Sequence, residues 1–142
     1  MDKNILRNSY DKSASIYNRN FRDLQYEKYR AMVDFSPGMV ETAQASGANA
    51  IVGDIGNLPF EDSFFDCLFS FTVLGITDQP LQPVLEEASR VLRTQGVFLL
   101  TVLEQHYNQS LVRSLQETGF HIGKELSCGQ DRGIILSLTA PK

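Results

Sequence analysis

Hydrophobic positions along the chain follow two periods. Leu6, Tyr10, Ala14, Tyr17, Phe21 and Leu24 recur at steps of 3 and 4, which predicts one face of a helix, or of two helices with a break near Ser13–Ser15. AMVDF (31–35) is a short apolar run ending in an acid. Ser36-Pro37 follows, an N-cap with proline at the first helical position, and the short helix it opens carries Met39, Val40 and Ala43, with Gly47 as its cap. NAIVGD (49–54) predicts a second strand. FFDCLFSF (64–71) predicts a third, rich in aromatics and apolar on both faces, as a central buried strand is. Asp78 and Pro80 open the clearest helix, in which Leu81, Val84, Leu85, Ala88, Val91 and Leu92 keep helical spacing and Gly96 is the expected stop. VFLLTVL (97–103) is the fourth strand. Leu111, Val112 and Leu115 mark a helix stopped by Gly119. FHIGKEL (120–126) and GIILSLTA (133–140) then read as two strands whose connection is too short for a parallel crossover, hence antiparallel.

Strands alternate with helices up to that last pair, so the class is α/β with a mainly parallel sheet. Residues 1–142 read as one domain, with residues 1–30 a helical segment in front of an α/β core, and no repeat or linker interrupts it. With 42% hydrophobic and 21% charged residues, a chain of this length can bury a core without disulfides or metal. The longest apolar stretch, Phe64 to Ile76, spans 13 residues and contains Asp66, which is too short to cross a bilayer. The N-terminus is polar and lacks the apolar core of a secretory signal. Cys67 and Cys128 have no CxxC motif or Cys/His cluster around them. That argues against a metal site and for two reduced thiols in a cytoplasmic protein, Cys67 as a buried small hydrophobe.

Charge is distributed unevenly. Residues 1–30 hold seven Lys/Arg and four Asp/Glu, residues 31–89 none and nine, and residues 90–142 six and four. An acidic central block cannot supply the clustered cations a nucleic acid requires, and it suits a neutral or cationic small ligand better than a polyphosphate.

Three segments in order carry a family resemblance: VDFSPGMVETA (33–43), GDIGNLPFEDSFFDCLFS (53–70) and EEASRVLRTQGVFLLT (86–101). Together they resemble the class I S-adenosylmethionine-dependent methyltransferases, in particular the branch containing the ubiquinone/menaquinone-biosynthesis enzymes. Tyr10-Asp11 and Tyr17 are similar to that branch's N-terminal lid. The resemblance implies a Rossmann-like sheet and S-adenosyl-L-methionine as cofactor. It places Asp34, at the end of its strand, on the ribose hydroxyls, since a carboxylate offers two acceptor oxygens and such folds bind ligands at the carboxyl edge of the sheet. Phe35, Ser36 and Met39 lie beside it, Met39 against the adenine. Asp54 takes the exocyclic amine, the backbone of Ile55 reads the ring, and Leu58 forms an apolar wall. Ser70 and Phe71 end the third strand beneath the sulfonium, and Tyr10 and Tyr17 cover the site. Methyl transfer is then in-line positioning of an electrophile, without a proton-transfer residue. Acceptor specificity falls to the lid and to residues 104–108.

Other readings stand beside these. Asp34 and Asp54 can be plain turn acids. Asp62 and Asp66 read as a solvated turn and a strand-edge acid rather than paired catalytic carboxylates. The Phe60, Phe64, Phe65, Phe69 and Phe71 cluster reads as core. His106, just past a strand, reads as a surface residue before it reads as a base.

One departure changes the picture. The family's GxGxG turn should precede Asp34, and Tyr29-Arg30 runs directly into AMVDF instead. A strand, the glycine turn and a helix, roughly 35–40 residues, are missing from the pattern. RTQG (93–96) also replaces a Pro-Gly-Gly turn. The expectations are therefore a methyltransferase acting on a small molecule, with the adenosine half of its site better kept than the methionine half, or a non-catalytic methyltransferase-like scaffold. Strands left unpaired at the gap predict a homo-oligomer.

Overall fold

A computed structural model describes residues 31–74 and 80–139. The predicted N-terminal helix with Tyr10 and Tyr17, and the helix-opening Asp78, lie outside the described residues. The chain divides into two compact units, one ending at Val52 and the other beginning at Gly53.

In the first unit, β1 (Met32–Asp34), α1 (Pro37–Ala45) and β2 (Ala50–Val52) form a strand–helix–strand crossover. β1 and β2 pair in parallel, from Met32 opposite Ala50 to Asp34 opposite Val52. The Ser36 hydroxyl accepts the Met39 N–H at 3.4 Å, Pro37 opens α1, and Gly47 leaves it at a φ of 85°, as the sequence predicts. Val40 and Ala50 are its buried apolar residues.

The second unit comprises β3 (Phe65–Phe71), α2 (Leu81–Val91), β4 (Leu92–Leu103), a 3₁₀ turn at Glu104–His106, α3 (Gln109–Glu117), β5 (Phe120–Cys128) and β6 (Asp131–Leu138). Its sheet has the order β3-β4-β6-β5. β3 and β4 are parallel, and β6 runs antiparallel to both β4 and β5. The C-terminal antiparallel pair is thus as predicted. Phe98, Leu100 and Val102 of β4 and Ile134, Leu136 and Leu138 of β6 fill one face. Leu85, Ala88 and Val91 of α2 and Leu111 and Leu115 of α3 are the buried stripes of the two helices. The Asn108 side chain caps α3 by accepting the Leu111 N–H at 3.0 Å, and Gly119, at a φ of 91°, stops it.

Three expectations are corrected here. β3 is an edge strand of its sheet, not a central one, with β4 its sole partner among the described residues. Cys67, Phe69 and Phe71 face solvent, Phe69 and Phe71 being 62% and 63% exposed, and only Phe65 at the start of the strand is buried. Aromatic composition cannot separate an open face from a buried one, and Asp66 and Ser70 already interrupt the opposite face. Cys67 shares the open face and is exposed, a free thiol instead of a core residue. Partial desolvation, then the charge of Asp66, pushes this thiol above its ordinary range, which keeps it a poor nucleophile. Finally, Gly96 does not end α2. The helix stops at Val91 because Leu92 already pairs with Phe65, and the ladder resumes only at Cys67 opposite Val97. Residues 93–96 form the intervening bulge, with Gln95 at a φ of 65°.

Candidate functional site

Each unit holds part of the predicted constellation. In the first, β1 delivers Asp34 to the carboxyl end of a parallel strand. One carboxylate oxygen accepts the Ser36 N–H at 2.8 Å, which turns the chain into α1. The other has no hydrogen bond among the described residues. Phe35 and Met39 stand 76% and 57% exposed beside it. Asp34, Phe35, Ser36 and Met39 are therefore brought together at one strand–helix junction.

In the second unit, Asp54 builds a turn of the same kind. Its carboxylate accepts the Gly56 N–H at 2.8 Å and its carbonyl the Asn57 N–H at 3.0 Å. Ile55 and Leu58 are half-buried. Ser70 is half-buried and Phe71 exposed at the end of β3. Beyond them Thr72 adopts a φ of 54°, and its N–H is held by the Thr101 carbonyl at 3.0 Å and hydroxyl at 2.9 Å. The two threonine hydroxyls are 3.1 Å apart. A β-branched residue in the left-handed region is strained, and these bonds keep it there. Tyr10 and Tyr17 lie outside the described residues.

Sequence reasoning missed the residues that hold the second turn in place. From α2, Glu87 accepts the Leu58 N–H at 2.7 Å, and Arg90 donates to the Leu58 carbonyl at 2.9 Å. The backbone of Leu58 is thus gripped on both sides by one ion pair, closed by the Arg90 Nε–Glu87 contact of 2.7 Å. Arg90 also donates to the Phe60 carbonyl and to Asp62, each at 2.8 Å. Hydrogen bonding from Arg90 first, then from Leu58, holds the Glu87 carboxyl below the usual range against the cost of desolvation. The same pairing raises Arg90. An acid and a base three residues apart on a helix were visible in EEASR, but such pairs are common on solvated faces. Asp62 and Asp66 are separate, as expected: Asp66 pairs with Arg93 at 2.9 Å.

Past β4, Arg132 lies over the Tyr107 ring at 4.3 Å and pairs with Glu104 and Glu125, and the Tyr107 hydroxyl donates to Glu125. His106 is half-buried rather than on the surface, with Nδ1 enclosed and unpaired among the described residues. Among the described residues no group of three or more His, Cys, Asp or Glu is placed to hold a metal, and no helix is long and apolar enough to cross a membrane.

Comparison with solved structures finds the same architecture at low identity. A Haloferax volcanii methyltransferase, solved in complex with the Trm112 methyltransferase activator, superposes with a TM-score of 0.70 at 18% identity, over 84% of this chain and 77% of that one. A protein of Pyrococcus horikoshii gives 0.66 at 18%, over 95% and 91%. An S-adenosylmethionine-dependent methyltransferase from Thermotoga maritima gives 0.65 at 19%, over 78% and 73%. No curated protein sequence matches. Residues 15–100, which span all of the first acidic turn and the second, match the methyltransferase domain family, and the chain belongs to that family.

Proposed function

We propose that the domain binds S-adenosylmethionine through the adenosine half of a class I methyltransferase site, and that its acceptor is a small molecule, in the manner of the ubiquinone/menaquinone-biosynthesis branch, in the cytoplasm. The observation that carries this reading is the repeated geometry of Asp34 and Asp54. Each ends a strand or opens a loop, each spends one carboxylate oxygen or its carbonyl on a tight turn, and each belongs to a family segment in family order. Asp34 would take the ribose hydroxyls, Asp54 the adenine amine, Ile55 and Leu58 the ring, and Phe35, Ser36 and Met39 the near wall. Ser70, Phe71 and the lid residues Tyr10 and Tyr17 complete the assignment. The bound group supplies an electrophilic methyl on sulfur. The protein's part is to hold, orient and exclude water.

The fit is one-sided. The adenosine half has its acids, but the methionine half has no glycine turn: Arg30 leads straight to β1. Among the described residues β1 pairs with β2 alone and β3 with β4 alone, which supports the same reading, that a strand–helix unit of the family's pattern is missing from this chain. A second reading follows from that gap, a methyltransferase-like scaffold acting through protein contacts. The Haloferax relative, which sits in a complex with an activator protein, favours it.

Calorimetric titration with S-adenosylmethionine and S-adenosylhomocysteine separates the two. Loss of several hydrogen bonds at about 1 kcal/mol each weakens binding by orders of magnitude, so affinity no tighter than the micromolar range is expected. Asp34→Ala and Asp54→Ala should each weaken it further. Sub-micromolar affinity defeats the one-sided site, unchanged affinity in both variants defeats the residue assignment, and no heat with either ligand leaves the scaffold.

A further inference from the structure

The two edges of the second unit's sheet are built differently. β5, at one edge, carries His121, Lys124 and Glu125 and is broken by a bulge between Ile122 and Lys124, the devices that keep a strand from recruiting a partner. β3, at the other, has fewer of them: its one charge is Asp66, and its one irregularity falls at the start, between Phe65 and Cys67. Its sequence FDCLFSF holds no lysine, proline or glycine, its ladder to β4 is regular from Cys67 to Phe71, and Phe69 and Phe71 stack at 6.1 Å in solvent.

The direction of the backbone groups that β4 does not use follows from its neighbours. The N–H groups of Phe64 and Thr72 both point towards the β4 side, to the Val91 and Thr101 carbonyls. Because strand residues alternate, the even positions 66, 68 and 70 point the same way, and Phe65, Cys67, Phe69 and Phe71 present their N–H and C=O groups outward. We propose that this edge binds a second copy of the chain, β3 against β3 in antiparallel alignment about a two-fold axis at Leu68.

In that register each outward residue meets another outward residue: Phe65 meets the partner's Phe71, and Cys67 meets the partner's Phe69. Four such pairs, each exchanging two bonds, give about eight hydrogen bonds and join two four-stranded sheets into one. The single charge, Asp66, falls opposite the partner's Ser70 rather than another acid, and keeps its Arg93 pairing. The open faces become continuous where Phe69 of one copy lies beside Cys67 of the other, and Phe71 meets Phe65, which is itself buried against Phe60 and Phe64. The chain's own short strand is a poorer occupant, since β1 has three residues for a seven-residue edge. This interface does not depend on cofactor binding.

Sedimentation velocity on the full chain, from roughly 1 to 200 µM to cover weak self-association, should show a monomer–dimer equilibrium. Phe69→Lys places a charge on an exposed position of the edge and should leave a folded monomer, with the same far-UV circular dichroism. In a Cys67→Ser, Cys128→Ser background, Leu68→Cys puts a thiol on the axis, directly opposite its own copy about 4.5 Å away between Cα atoms, and should oxidise to a covalent dimer. Ser70→Cys, which faces the partner's Asp66, should not. A wild-type chain that is monomeric throughout, as it would be if its own residues cover the edge, overturns the proposal. So does a dimer that survives Phe69→Lys, or one in which Ser70→Cys links as readily as Leu68→Cys.

Discussion

Glu87→Gln is expected to cost about 2 kcal/mol, a fall in melting temperature of roughly 5–10 °C, although it removes one charge and no volume. The glutamine keeps one acceptor where the carboxylate serves three donors: the Leu58 N–H and two nitrogens of Arg90. It also turns an amide N–H₂ towards the guanidinium. Asp62→Asn touches the same arginine from a side chain that is 79% exposed, and should change stability by less than about 0.5 kcal/mol. The two variants together distinguish a clamp on the loop from general attraction to Arg90. The pH dependence has a fixed sign. Glu87 titrates lower in the folded chain than in the unfolded one, so its contribution is full above the ordinary glutamate pKa of about 4.3 and is lost as pH falls through the lower folded value. Thermal melts in that acid window should show a slope for the wild type that is shallower in Glu87→Gln. Equal slopes would mean that the Glu87 charge contributes nothing.

Gly96→Ala is expected to destabilise by about 1–3 kcal/mol, towards the upper figure. A Cβ built there lies 2.6 Å from Leu92 Cγ and 2.7 Å from the Arg93 carbonyl oxygen. Leu92 is 1% exposed and cannot swing away, and the carbonyl belongs to the bulge itself. Gly38 is the matched control. Its Cβ would meet nothing within 4 Å at the second position of α1, so Gly38→Ala should be neutral or slightly stabilising. Urea denaturation of both variants checks the contrast, and a Gly96→Ala protein as stable as wild type would show that the bulge relaxes freely.

These two sites also mark where the sequence could be read and where it could not. Caps are local, so Ser36-Pro37, Asn108 and Gly119 could be placed from a few neighbouring residues or from the end of a periodic run. The final hairpin was legible because a short connection permits one pairing sense. The acidic turns at Asp34 and Asp54 were legible because strand, acid and turn follow one another directly. Gly96 was misread because a glycine after a helical run signals a stop equally whether it ends the helix or lets a strand fold over its own side chain. β3 was misread because Phe, Cys and Leu suit either a covered strand or an open face. Glu87 and Arg90 were missed because their partners, Leu58, Phe60 and Asp62, lie about thirty residues upstream, and no periodicity encodes a contact at that distance.

Among the described residues the buried ones are divided very unequally between the two units, and the division sets a clock for the backbone. Among the described residues Val40 and Ala50 are the only fully buried apolar side chains before Gly53, whereas Leu85, Leu100, Leu115, Ile134 and Leu136 after it are almost wholly enclosed. Local opening is cheap where little apolar surface must be rehydrated. In deuterium oxide the amides of β1, α1 and β2 should therefore exchange early, through fluctuations that leave the sheet intact. Those of β4 and β6 should wait for global unfolding. Asp34 then rides on the fast-opening part, so a ligand held by it should announce itself as protection acquired by residues 32–45.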